Sequence, residues 1–299
     1  MTTKFGAQPR VPAAPLAAVG ALSLLEARRM IQHPAPWVGI GLSIWFAVQS
    51  LGAPWSGAAY VGLVSSTTPM LLGVSIAGMS SFGHELTPLS LDAPMSASRQ
   101  GYARLLAGLS MVGLVATVVG AATLALWLSG GIGLGDEPGR TLHAHYTTPE
   151  LLQPVTLTAL GVALGAALVH VIRHRLAAGI VLFMIWLPAG EAFWLFQGNT
   201  LRMLTLMQVQ PLFVNIGPPD ADPAGFPAIW LLNAPGDFQG HWARLAISPA
   251  LAAWHNIYLI GLTMLAICVA VPGRWRPRLL AAGAAVSGMA VAMQWSVSP

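Results

Sequence analysis

Long apolar runs recur along the chain at 37–51, 58–82, 102–128, 155–172, 176–196, 249–271 and 279–295. A helix that crosses a bilayer needs about 20 mostly apolar residues. The pattern therefore predicts about seven spans, with Gly52-Ala53-Pro54 turning the short first run back onto the second. No repeat or low-complexity tract interrupts the series. Three pieces do not span. Residues 22–33 (LSLLEARRMIQH) predict an interfacial helix, with Glu26 able to pair with Arg29 at i,i+3. Residues 83–101 form a polar connection too long for a plain turn. The segment 197–248 holds apolar stretches such as LRMLTLMQVQPLFVNI, too short and interrupted to span, which read as re-entrant or surface helices.

Composition strengthens this reading. Hydrophobic residues make up 55% of the 299, charged residues only 8%, and mean hydropathy is +0.67. Ordinary soluble domains carry about 25% charged residues, so lipid must cover much of the outside here, and a soluble globule is excluded. The net charge of +4 is spread as short arginine groups between apolar runs rather than as one basic patch, which argues against nucleic acid. With the N-terminus in the cytoplasm, the inside connections collect Lys4, Arg10, Arg28, Arg29, Arg99, Arg104, Arg173, Arg175, Arg274, Arg276 and Arg278. The outside segments keep Arg140, Arg202 and Arg244, together with the acids Asp136, Glu137, Glu150, Asp220, Asp222 and Asp237. Residues before the first span lack a compact apolar core with a cleavage site, so that span is expected to act as the insertion signal.

Candidate chemistry is sparse. A phosphate-cradling loop of the Walker type needs glycines followed by Lys and Ser/Thr. The single lysine, Lys4, is followed by Phe5, so any ATP-driven work must come from another chain. The lone cysteine, Cys268, lies in an apolar run and supports neither a disulfide framework nor a cysteine metal site. His170 and His174 have the i,i+4 spacing of two metal ligands on one helix, but arginines flank the second and no HExxH glutamate accompanies them, so interfacial histidines are the plainer reading. No metal or catalytic residue is therefore nominated. Glu191 is the one acid inside a predicted span; at about 1.5 Å per residue it lies about 24 Å beyond Arg175, where it either serves function or reaches headgroup water. Ser65, Ser66, Thr67 and Thr68 precede Pro69 within the second span and serve either helix packing or a polar pathway. The small-residue pairs Gly73/Ala77 and Gly161/Gly165 suit close helix contact. Trp186, Trp194 and Trp230 fit an aromatic belt at the membrane boundary, with contact to a hydrophobic substrate as the other reading.

The run LLEARRMIQHPAPWVGIGLSI resembles the start of permease subunits of ABC exporters of the type-2 family, with Glu26, Arg28, Arg29 and Pro34 at the matching positions. The connection HELTPLSLDAPMSASRQGYARLLAG is similar to that family's segment between its second and third spans, through Glu85, Asp92, Pro94, Ser96, Arg99 and Arg104. The long outside segment resembles the family's extracellular re-entrant helices, and WHNIYLIGLTMLA is similar to a matching span in actinobacterial-looking members. The family usually has six spans, from which 279–295 departs as a seventh. The resemblance implies an all-α integral membrane protein in a bacterial plasma membrane, N-terminus cytoplasmic. Residues 1–33 would be tail and connecting helix and 34–299 the permease domain, with 83–101 docking the ATPase and 197–248 re-entrant. It further implies a separate ATPase subunit that binds ATP-Mg, a second permease chain as homodimer or heterodimer, and no cofactor on this chain. The exported substrate would be small or hydrophobic and pass Ser65, Ser66, Thr67, Thr68 and Glu191. An ion- or proton-coupled secondary transporter is the competing expectation.

Overall fold

A computed structural model describes residues 16–51, 63, 65–83, 95–133, 143–172, 174–187, 203–207, 212–214, 244–246 and 248–297. Among them are eight helices: α1 (Leu16–Gln32), α2 (Pro34–Leu51), α3 (Thr68–Gly83), α4 (Ala97–Leu128), α5 (Thr148–Val171), α6 (Arg175–Trp186), α7 (Pro249–Ala270) and α8 (Arg276–Val297). Proline occupies the first turn of α2, α3, α5, α7 and α8, where the N–H it lacks would have had no helical partner. α4 ends because Gly130 and Gly131 take φ of 88° and 100°, a left-handed pair that Gly accepts at no steric cost.

Four of the helices, α4, α5, α7 and α8, are long and apolar enough to cross a membrane. In α4 and α8 only 22% and 17% of the most apolar window is buried inside the protein, so most of that surface faces outward. An outward face of Leu106, Leu109, Leu124 and Trp127 on α4 and Leu280, Met289 and Trp295 on α8 would be untenable in water and is what a hydrocarbon environment accepts. The seventh apolar run is thus a 22-residue helix in its own right. α6 is described over 12 residues, about 18 Å, and the rest of the predicted run, 188–196, lies outside the described residues.

The packing order is α8 against α7, α7 against α5, α5 against α3 and α3 against α2, with α4 lying on α5 and α1 on α4. Lipid solvates leucine as well as a protein core does, so small residues that let backbones touch carry the packing. A Cβ on Gly165 would lie 2.5 Å from the Ser75 carbonyl oxygen and 2.9 Å from the Met79 nitrogen, and one on Gly73 would strike the Ala35 carbonyl. Gly161, Gly165 and Gly73 are therefore points of closest approach, as their spacing predicted, and Ala77 is buried beside them. Gly261 plays the same part against Ser287 of α8.

Among the described residues the architecture is all-α in class, as expected, with two short antiparallel ladders outside the helices: Ile132–Gly133 (β1) pairs with His143–Ala144 (β2), and Leu212–Val214 (β3) with Arg244–Ala246 (β4). Several finer expectations are corrected. LFV of the long outside segment is thus a strand, not part of a surface helix; Phe213 and Val214 are of the aromatic and β-branched types that favour a ladder. Trp186 does not belong to a boundary belt. It is fully buried, and its indole N–H donates to Ser75 Oγ at 2.9 Å. His170 and His174 do not share a helix, because α5 ends at Val171 and His174 caps α6, its Nδ1 accepting from Ala177 N–H at 3.3 Å. The two-ligand geometry that i,i+4 spacing requires is absent at this break. The turn at 52–54, Trp194 and Trp230 lie outside the described residues.

Candidate functional site

The connecting helix α1 and the first span α2 are separated by a single residue, His33, which bends. Residues preceding proline avoid helical backbone, which places the joint there. Its Nδ1 accepts from Ala35 N–H at 3.2 Å, and the Trp37 indole donates across the joint to the Ile31 carbonyl at 2.6 Å. Burial holds the His33 pKa below the ordinary imidazole value, which keeps that acceptor available. On α1, Glu26 is buried; its Oε1 accepts from Arg29 at 2.9 Å and its Oε2 from the Ser81 hydroxyl of α3 at 2.9 Å. The predicted i,i+3 pair therefore exists, and the carboxylate also fastens α1 to the end of α3. Arg28 is exposed. The Arg175 guanidinium donates to the Gly83 carbonyl at 2.8 Å, so α6 grips the same end of α3. Ser96 precedes α4, and Arg99 is half-buried in its first turn. Glu85, Asp92, Pro94 and Glu191 lie outside the described residues.

Ser65 to Thr68 lie where the second apolar run breaks. Ser66 and Thr67 form a turn ahead of α3, with the Ser66 hydroxyl donating to the Leu63 carbonyl at 2.6 Å. Ser43 of α2 accepts from Met70 N–H at 3.0 Å, repairing one backbone donor at this break. Thr68 turns away to Met207 Sδ at 3.8 Å. Ser66 and Thr67 instead line a cleft of about 130 Å³ bounded by α2, α3, α4 and α5, whereas Ser65 does not. Ile44, Ala47, Val118, Val119, Ala122 and Leu126 make its apolar walls. Its polar edge is completed by Thr123, Tyr146 and Glu150.

Glu150 and Tyr146 are the residues that sequence reasoning missed. Glu150 reads as an acid of an outside loop, yet it is 4% exposed in the first turn of α5. Its Oε2 accepts from the Thr147 N–H at 2.7 Å and the Thr147 hydroxyl at 2.6 Å. A Thr-x-x-Glu pattern ahead of an apolar run is the signal that locates it. Burial, then the neighbouring Glu150 charge, drives the Tyr146 phenol pKa well above its usual value, so the ring keeps its proton at physiological pH.

A second polar group lies on the opposite side of α5. His255 of α7 is fully buried, with Nε2 3.1 Å from the Leu206 carbonyl oxygen and Nδ1 3.0 Å from Gln294 Oε1 of α8. Both nitrogens face oxygen atoms; a neutral ring satisfies both when Gln294 presents its Nε2, which otherwise has no partner among the described residues. Tyr258 donates to the Leu204 carbonyl at 3.0 Å. These two side chains satisfy carbonyls of the short turn 203–207, which opens on a single 3-10 turn and whose Met203, Thr205 and Met207 are buried. Asn256 joins the Pro149 carbonyl and Thr156 of α5 at 2.8 Å each. Among the described residues no group of three or more His, Cys, Asp or Glu is placed to hold a metal. The chain matches no family model, no curated protein and no solved structure.

Proposed function

We propose that this chain is the membrane-embedded permease subunit of an ATP-driven exporter resembling the type-2 ABC family, moving a small or hydrophobic substrate out of the cytoplasm while a separate subunit hydrolyses ATP. The observation that carries the reading is the buried Glu26–Ser81 contact, which couples the connecting helix to the α3 end from which the polar connection 83–101 departs. A stroke delivered to α1 or that connection would be transmitted along α3 to Ser66 and Thr67 at the cleft, because packed helices move as rigid bodies. The absence of a Walker lysine is the sequence-level support for a separate motor. About seven spans, a cytoplasmic N-terminus, a bacterial plasma membrane and a second permease chain complete the proposal. The chain should co-purify with a soluble ATPase whose activity it stimulates. Deleting 84–95, which lies between α3 and α4, should remove the stimulation and leave insertion intact; full coupling in the deletion variant would refute the docking assignment.

An ion-coupled secondary transporter is the second reading, favoured by Glu150 and His255, two ionisable groups buried within apolar helices. Transport driven by a proton gradient in vesicles without ATP, abolished by Glu150→Gln or His255→Gln, would establish it.

A further inference from the structure

The turn between α7 and α8 carries three arginines in five residues, Arg274, Arg276 and Arg278, around one tryptophan, Trp275, and all four are exposed. The guanidinium carbons of Arg274 and Arg278 lie over the Trp275 ring, 5.5 Å and 4.8 Å from its centroid. Stacking on an indole holds a guanidinium without consuming its N–H fork, which stays open to a pair of oxygens. None of the three arginines pairs with a carboxylate among the described residues. The backbone fixes the cluster in place. Arg276 N–H closes the turn on the Gly273 carbonyl at 3.2 Å, and the Cys268 thiol donates to the Arg276 carbonyl at 3.5 Å. Tyr102 of α4 stands beside the same turn, where a Cβ on Gly273 would meet its hydroxyl at 3.5 Å. Tyr102, Trp275, Arg278, Leu279 and Ala282 line one open groove. That groove joins the charged turn to the first turns of α8, the least buried of the four long apolar helices.

Arginines at a helix end anchor a span in the interface wherever they fall. Here two guanidiniums share one indole, a phenol faces the same groove, and an apolar wall runs from it into the outward face of α8. That sequence of chemistry matches a phosphate, its polar headgroup and an acyl chain in order. We propose that the α7–α8 turn is a binding site for an anionic phospholipid. Arg274 and Arg278 take the phosphate oxygens, the Tyr102 hydroxyl donates to the headgroup, and one acyl chain lies along Leu279 and Ala282. A zwitterionic lipid brings its own ammonium to the arginines and gains less from the turn. The inference draws neither on the transporter reading nor on which leaflet the turn faces.

The test uses the full chain purified in detergent and titrated with phosphatidylglycerol or phosphatidylcholine of identical acyl chains, bound lipid being counted by native mass spectrometry. The first phosphatidylglycerol should bind at least about tenfold more tightly than the first phosphatidylcholine. Arg274→Gln combined with Arg278→Gln should bring the two lipids to equal affinity. Arg278→Gln alone should cut the preference about threefold, whereas Arg28→Gln, which removes an exposed charge from α1, should leave it unchanged. Trp275→Leu keeps the charges and removes the ring they rest on, and should also cut the preference about threefold. sn-Glycerol 3-phosphate should not displace the bound lipid. Equal binding of both lipids by the native chain, a preference that survives the double substitution or Trp275→Leu, or an equal loss on Arg28→Gln and Arg278→Gln would overturn the proposal, the last by showing diffuse charge in place of a site. Displacement by sn-glycerol 3-phosphate would overturn it too, since the groove would then serve a soluble phosphate ester. So would a double variant that sheds a co-purifying ATPase and keeps its lipid preference, which would assign the turn to a protein partner. The stated lipid preference in a chain that associates with no ATPase would refute the transporter reading and leave this inference intact. An ATP-driven exporter without the preference would do the reverse.

Discussion

The two sides of α5 solve the same problem differently. On the α7–α8 side, Gly261 and Gly283 bring the two backbones into contact, and His255, Tyr258 and Asn256 of α7 form hydrogen bonds to Gln294 of α8, to the turn 203–207 and to α5. On the α2–α4 side, Gly39, Gly73 and Gly165 bring α2 and α5 against α3, and beyond the Gly39–Pro69 contact the helices part around the cleft. Both sides are built from similar apolar sequence. What separates them is where the small residues fall, and a bundle in lipid has no hydrophobic collapse to close a gap that packing leaves open. The closed side is a scaffold, and the open side has room for a guest.

Substitutions should reveal this contrast by their rank. Gly165→Leu drives a side chain into the backbone of α3 and should cost about 3 kcal/mol or more, seen as loss of the monodisperse protein in detergent. The equally large Ala122→Leu, facing the cleft, should change the melting temperature little; equal damage from both would erase the distinction between the sides. His255→Ala leaves the Leu206 carbonyl and Gln294 buried without their partner and should cost about 2 kcal/mol. Trp186→Phe keeps the ring volume in part but removes the indole donor to Ser75 Oγ, which still donates to the Leu71 carbonyl, for about 1 kcal/mol by thermal unfolding.

The smallest effect concerns the joint at His33. Its pKa is lowered by burial, so the unfolded or opened joint binds the proton more readily than the closed one. The joint's stability is thus complete above the ordinary histidine value of about 6.5 and is lost as pH falls from there through the lowered folded value. Amide exchange at Ala35 should accelerate over that window in the native chain and not in His33→Asn, which keeps an acceptor but does not titrate. An identical acid response in both would remove His33 from the joint.

Periodicity and length made the apolar helices legible, because oily runs bounded by arginines have few other homes. The Glu26–Arg29 pair was legible too, since i,i+3 neighbours follow from helix geometry alone. The close approaches at Gly73 and Gly165 also followed from spacing. Partners across the bundle were not legible. Trp186 looks like any boundary tryptophan until Ser75 of another helix supplies its acceptor, and His255 has no meaning before Leu206 and Gln294 arrive from 49 and 39 residues away. Glu150 was hidden differently. Charge counting assigned it to water, while the local capping pattern tied it to the start of α5 and so to the cleft.

The central claim is that this bundle works on power supplied by another polypeptide. The most direct measurement is Mg-dependent ATP hydrolysis by the chain purified to homogeneity in nanodiscs, set beside the same chain isolated with its associated proteins. The account predicts no hydrolysis above the empty-disc background for the isolated chain, and robust turnover in the associated preparation. Hydrolysis by the isolated chain itself would contradict it.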